Sequence, residues 1–184
     1  MSSLGRLDGA TKTGNDYFSV FSIAPAFDLN LEELEARFYE LQQQHHPDQQ
    51  HRDLSAQQAE ERQALESARL NEAYRALRTP VGRAQCLLRV AGIDPEENRS
   101  ELNQEQLTEQ FELRAELQEI STLQQLEAFR DKSRQCFQQI AEAFRAAWTQ
   151  QDTGAATLHY QRLLFTDRLL SRISEREDEL LDIL

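Results

Sequence analysis

The stretch LEELEARFYELQQQHHPD, residues 31–48, decides the fold of this chain. Its first part predicts an amphipathic helix, with Asn30 as the N-cap and a capping-box glutamate three positions later. Pro47 then ends the helix, because proline fixes its own φ and moves the preceding His46 out of the helical region. The resulting rigid corner should project the imidazole of His46 and the carboxylate of Asp48, a pair suited to contacting a partner.

Apolar residues spaced by threes and fours predict helices on both sides of this corner. A short apolar segment, residues 16–23, comes first. A second long helix should run from about Ser55 to Thr79 and Pro80, which allows the two long helices to pair antiparallel. Their apolar faces should hold Leu31, Leu34, Phe38 and Leu41 on the first and Ala59, Leu70, Ala73, Tyr74 and Leu77 on the second. A shorter helical piece, residues 81–91, follows.

The rest of the chain predicts a helical bundle. Three candidate helices, residues 104–121, 123–150 and 155–184, are separated by very short joints, which favour antiparallel neighbours. No β-branched run alternates with polar residues over a strand's length, so we predict an all-α protein. The predicted parts are a flexible tail (1–14), an N-terminal helical domain (15–79), a connecting helix and linker (80–103) and a C-terminal antiparallel three-helix bundle (104–184).

Charge and hydropathy narrow the classes of partner. The 184 residues include 32 acidic and 20 basic side chains, a net charge of -12. This charge would repel phosphate backbones and anionic lipids, so we expect neither nucleic acid nor a membrane as partner. No stretch approaches the ~20 apolar residues of a membrane span, and the N-terminus lacks the apolar core of a signal peptide, which predicts a cytoplasmic chain.

The cysteines, histidines and other potentially reactive residues form no recognisable catalytic motif. Cys86 and Cys136 stand in no CxxC pair and are expected to be reduced, buried thiols. No nucleophile with its base and no phosphate-cradling glycine loop is present, so we expect no enzyme and no cofactor. Three histidines and an aspartate within residues 45–51 could bind a metal, but adjacent histidines diverge and no second segment supplies ligands.

Several motifs resemble a known family. DYFSVF (16–21), the HHPD corner and NEAYRALRTP (71–80) resemble the J-domain in order and spacing. The stretches VGRAQCLLRVAGID (81–94) and LTEQFELRAELQEI (107–120) are similar to the HscB-type J-domain co-chaperones of iron–sulfur cluster assembly. The similarity covers about residues 16–184, and it implies that residues 15–79 are a J-domain.

This resemblance implies two binding surfaces. In the family, the HPD corner docks on an HscA-type ATPase chaperone and provokes ATP hydrolysis, and the C-terminal bundle binds an IscU-type scaffold protein. The chaperone-binding residues would be His46, Pro47, Asp48 and Arg37, and the scaffold-binding residues would be Leu107, Thr108, Phe111, Glu112, Ala115 and Phe165. Thr108 and Ala115 depart from the pattern, because close relatives carry a longer apolar and an acidic side chain there.

The first bundle helix supports the second surface independently. At about 100° per residue, Leu113, Leu117 and Ile120 share one stripe with Leu102, whereas Leu107 and Phe111 lie about 120° away. A single core cannot easily bury both stripes, so the second should form an exposed binding patch. Two alternatives remain open: these two residues pack against the J-domain or linker, or the chain is a helical adaptor for an unrelated partner helix, with an inert corner. Phe165, among several leucines, also fits a core position.

The first long helix differs from the usual J-domain, whose corresponding face is basic. Residues 31–50 carry five acidic side chains and a single base, Arg37. Electrostatic steering toward an acidic chaperone surface should therefore be weaker.

Overall fold

A computed structural model of the chain describes residues 16–44, 56–95 and 104–182, and this part contains helices and no strand. The helices are α1 (Tyr17–Val20), α2 (Leu31–Gln44), α3 (Ala56–Leu77), α4 (Pro80–Val90), α5 (Gln104–Glu119), α6 (Leu123–Thr149) and α7 (Thr153–Leu181). The all-α prediction is confirmed, and the described helices begin and end within a few residues of the predicted ranges.

Polar side chains cap several of these helices, and one of these caps, Asn30, was predicted from the sequence. The Oδ1 atom of Asn30 accepts hydrogen bonds from the backbone N–H groups of Glu32 and Glu33 at 3.1 and 3.3 Å, which confirms the predicted N-cap of α2. At α4, the Thr79 hydroxyl accepts from Gly82 N at 3.1 Å, and Pro80 occupies the first turn, where no N–H is needed. These caps fix the first residues of α2 and α4.

The J-domain part is built on the pairing of α2 with α3. Phe38 of α2 stacks on Tyr74 of α3 with ring centroids 4.2 Å apart, and Leu34 is also buried. The expectation for Leu31 was wrong, because this side chain is 46% exposed. Leu31 is the first residue of α2, so the buried side of the helix starts one turn later, at Leu34.

One hydrophobic core crosses the predicted boundary between the J-domain and the bundle. Buried residues of α1 to α4 pack in a single cluster with residues near the α6–α7 turn, namely Ile140, Phe144, Ala147, Ala156, Tyr160 and Leu163. The boundaries at residues 79 and 104 stay predictions. The shared core means that the two parts cannot separate without exposing apolar surface to water.

Buried Arg83 of α4 is held inside this core by backbone carbonyls. Its Nε donates to Phe27 O at 2.7 Å, and its Nη1 donates to Leu77 O at 2.9 Å. Burial lowers the pKa of this guanidinium, and nearby Asp28 acts in the opposite direction. Arg83 thus ties the loop between α1 and α2 to the end of α3.

A second core lies at the other end of α6 and α7, where α5 joins them. It contains Leu117, Ile120, Leu126, Phe129, Leu169 and Ile173. Arg130 of α6 donates to Glu177 of α7 at 3.0 Å, and this pairing lowers the pKa of Glu177. Arg176 also donates to Ile120 O at 3.1 Å. These contacts confirm the antiparallel three-helix bundle.

The two cysteines differ in burial. Both are free thiols; Cys86 is fully buried, whereas Cys136 is only partly buried at the edge of the core, which corrects the expectation for Cys136. Among the described helices, none combines the length and the apolar character that a membrane crossing requires.

Candidate binding surfaces

The HPD corner, His46, Pro47 and Asp48, lies outside the described residues, and so does the cluster of three histidines and an aspartate within residues 45–51. The two helices that flank it are described: α2 ends at Gln44 and α3 begins at Ala56. The role of the corner therefore stays a prediction, and its setting between two paired helices agrees with a J-domain.

Arg37 of α2 is engaged within the chain. Its Nη1 donates to the carbonyls of Phe21 and Ser22 at 2.7 and 3.1 Å, and its Nη2 contacts a carboxylate oxygen of Glu33 at 2.6 Å. Ser22 has a φ of 52°, in the left-handed region, where the chain turns after α1. In the described structure, Arg37 fastens this turn to α2, and its contact with a chaperone stays a prediction.

The predicted patch on α5 is exposed. Leu107 and Phe111 are 44% and 68% exposed, while Leu117 and Ile120, on the opposite stripe, are buried in the second core. Leu113 packs partly buried against the same core, and Leu102 lies outside the described residues. The prediction that α5 carries two stripes, one of them exposed, is confirmed.

The other predicted residues of this surface also face solvent on α5. Thr108, Glu112 and Ala115 are all exposed. The Thr108 hydroxyl donates to Gln104 O at 2.9 Å, so its one hydrogen-bond donor is satisfied within the helix. Because a satisfied hydroxyl is cheaper to cover than a free one, Thr108 can lie under a partner without a large desolvation cost.

Phe165 brings α7 to the same surface. Its ring is partly buried against the second core, and the Arg114 guanidinium of α5 lies 5.4 Å from its centroid. Phe165 is thus a partly buried residue at the edge of the second core. The contact with Arg114 makes Phe165 a neighbour of the exposed stripe on α5.

The described residues offer no metal-binding group of three or more histidine, cysteine or carboxylate side chains. Burial and the charge of Arg162 lower the pKa of the His159 imidazole, and Asp152 acts in the opposite direction. The exposed side of α5 carries apolar and charged side chains, among them Leu107, Phe111 and Glu112.

Sequence reasoning missed the arginines around Phe165. Arg168, Arg172 and Arg176 recur every four residues on α7 and share one side of the helix with Phe165. The spacing of these three arginines is visible in the sequence. The proximity of Arg114 on α5 is not, because it results from the packing of α5 against α7.

The exposed patch, the paired helices and the bundle make up an all-α protein with a candidate binding surface on α5 and α7. Residues 102–174 match the family described as the HSCB C-terminal oligomerisation domain. Chaperone HscB from Vibrio cholerae is 28% identical, with a TM-score of 0.75 over 90% of this chain and 99% of that chain. Human co-chaperone protein HscB is 22% identical, with a TM-score of 0.79 over 96% of this chain and 94% of that chain.

The Jac1 co-chaperone from Saccharomyces cerevisiae shares the fold at 17% identity, with a TM-score of 0.70 over 87% of this chain and 95% of that chain. Together, the sequence match of the bundle and the fold of the whole chain confirm the resemblance to HscB-type J-domain co-chaperones. The comparisons support a chaperone role in iron–sulfur cluster assembly.

Proposed function

We propose that this chain binds an IscU-type iron–sulfur scaffold and delivers it to an HscA-type ATPase chaperone, whose ATP hydrolysis it stimulates. The scaffold would be bound by Leu107, Phe111 and Phe165, with Thr108, Glu112 and Ala115 around them, and the chaperone by His46, Pro47 and Asp48. The chain itself would break no bond and need no cofactor.

The exposure of Phe111 is the main observation in support of scaffold binding. Phe111 is 68% exposed, on a helix whose other stripe is already buried, and it belongs to neither hydrophobic core of the described residues. Covering Leu107 or Phe111 with a partner would contribute about 1.5–3 kcal/mol each, enough for hot spots of a modest interface. Net charge argues against a phosphate-rich partner, and an apolar patch favours a protein.

The shared core supports delivery as a mechanism. Because α1 to α4 and the α6–α7 turn pack into one cluster, a scaffold on α5 and a chaperone at the corner would be held on one body. Holding both partners on one body raises their local concentration for each other. A rigid connection keeps this effect larger than a flexible linker would.

The test measures ATP hydrolysis by a purified HscA-type chaperone alone, with this chain, and with this chain plus scaffold. The native chain should accelerate hydrolysis, the scaffold should increase the acceleration, and His46→Gln should abolish it while still binding scaffold. A native chain that binds scaffold without accelerating hydrolysis would instead identify a helical adaptor.

A further inference from the structure

A groove between α5 and α7 adjoins the exposed patch. Its volume is about 850 Å³, and its lining includes Arg114 and Gln118 of α5 with Phe165, Arg168, Arg172 and Arg176 of α7. Phe165 therefore belongs to both features, since it is also the α7 member of the predicted scaffold-binding surface.

The groove is locally basic in an acidic protein. Four arginines line it against two glutamates, Glu175 and Glu179, although the chain carries a net charge of -12. Arg172 pairs with Glu175 at 2.9 Å and Arg176 with Glu179 at 2.7 Å. Arg114 and Arg168 have no ion pair among the described residues. Arg114 lies over the Phe165 ring at 5.4 Å, and this contact leaves the hydrogen-bond donors at the edge of its guanidinium available to a carboxylate.

The patch continues directly into the groove. At about 100° per residue, Leu107, Phe111, Arg114 and Gln118 fall within about 60° of one another around α5. On α7, Phe165 and the arginines at 168, 172 and 176 fall within about 80°. A partner seated on Leu107 and Phe111 would therefore extend over Arg114 and Arg168.

We propose that this groove binds a carboxylate-bearing segment of the scaffold protein and that Arg114 and Arg168 determine specificity for it. The inference rests on the proposed function, which places the scaffold on the adjoining patch. Guanidinium groups suit this ligand because their planar fork donates two parallel hydrogen bonds to a carboxylate. Elsewhere the acidic chain repels an acidic segment, so the groove would also orient the bound scaffold.

The first experiment compares the affinity of purified IscU-type scaffold for the native chain and for the double variant Arg114→Gln, Arg168→Gln, by calorimetry at 50 and 300 mM NaCl. The double variant should bind about tenfold more weakly at low salt, and the difference should shrink at high salt. Arg134→Gln is the matched control, because Arg134 is an exposed bundle arginine outside the groove. Circular dichroism verifies that every variant keeps its helix content.

The second experiment locates the carboxylate directly. The sequence holds only two lysines, Lys12 and Lys132, so a carbodiimide, which couples amines to carboxylates in contact, gives little background from this chain's own amines. The native chain with scaffold serves as the control for coupling through amines of the scaffold. In the variant Arg168→Lys, mixed with scaffold, the introduced amine should couple to an aspartate or glutamate of the scaffold, identified by mass spectrometry.

The outcomes separate this inference from the proposed function. Scaffold binding that is unchanged in the double variant overturns the groove and leaves the patch intact. Coupling of the introduced lysine to a second copy of this chain, or to nothing, also overturns it; the first result would assign the groove to self-association. Failure of the native chain to bind scaffold at all would remove the proposed function, and this inference with it.

Discussion

The ring of Phe27 lies against the ring of Phe144, with centroids 4.8 Å apart and planes tilted by 44°. Phe27 belongs to the loop between α1 and α2, and Phe144 to α6, so this contact joins the J-domain to the bundle. The guanidinium groups of Arg83 and Arg145 lie 5.7 and 5.9 Å from the Phe27 centroid. The loop is therefore anchored to the bundle by stacking and by cation–π contacts.

Replacing Phe27 by alanine should lower the free energy of unfolding by about 3–5 kcal/mol, because it removes a buried aromatic from the shared core. Urea unfolding followed by circular dichroism measures this. Asp28→Asn is the control: its ion pair with Arg145 is exposed, so the cost should stay below about 1 kcal/mol. A loss at Phe27→Ala as small as that of the control would show that the loop does not fasten the two parts together.

Two glycines provide a matched pair for backbone packing. A Cβ atom on Gly82 would clash with the backbone carbonyl of Ala76, where α4 follows the end of α3. Gly82→Ala should therefore destabilise the chain by about 1–3 kcal/mol or more, since backbone has to shift. In contrast, a Cβ on Gly154 would meet its nearest atom, in Asp152, at 3.5 Å.

Gly154→Ala should stabilise the chain by about 0.5–1 kcal/mol, because Gly154 lies in the first turn of α7 and alanine loses less backbone entropy. Thermal melts of the two variants, side by side, should move in opposite directions from the native chain. Equal shifts would mean that the close approach of α4 to α3 relaxes without cost.

Alkaline pH should weaken the fold through two buried groups. Burial raises the pKa of the Cys86 thiol from 9.0 to about 11, and burial, with a hydrogen bond to Glu72, raises the pKa of Tyr17 from 10.0 to about 12. Both groups favour their neutral form in the folded state. Their contribution to stability is therefore full below pH 9 and is lost as pH rises through 9 to 12.

Cys86→Ala should remove the part of this loss that falls between pH 9 and 11, leaving the part due to Tyr17. The measurement is the free energy of unfolding in urea at several pH values from 8 to 11.5, compared by slope because the substitution also leaves a small cavity. Parallel curves for the variant and the native chain would show that the thiol does not titrate differently in the folded state.

The sequence predicts the helices well because their signals are local. The Asn30 cap, the end of α3 shortly before Thr79–Pro80 and the two stripes of α5 depend on residues within a turn or two of each other. The shared core is not predictable in this way, since Phe27 and Phe144 are far apart in sequence and periodicity cannot pair them. The groove is not predictable from the sequence either, because it exists only where α5 and α7 lie side by side.

Phe111 and Phe165, which the resemblance assigns to the same binding surface, differ in burial. Phe111 is 68% exposed, so Phe111→Ala should change the free energy of unfolding by no more than about 0.5 kcal/mol. Phe165 packs against the second core, so Phe165→Ala should cost stability as well as binding. Melting temperatures of the single variants distinguish these effects.

In scaffold binding, Phe111→Ala should weaken the affinity by about 1.5–3 kcal/mol, or roughly 10- to 150-fold, because the aromatic surface covered by the partner is lost. Combining it with Leu107→Ala and Phe165→Ala should abolish binding while basal stimulation of the ATPase remains, since the HPD corner is untouched. Leu65→Ala is the matched control, because Leu65 is 72% exposed but lies on α3, away from the patch. If the Leu65 variant lost as much affinity as the Phe111 variant, binding would follow general surface hydrophobicity and not this stripe of α5.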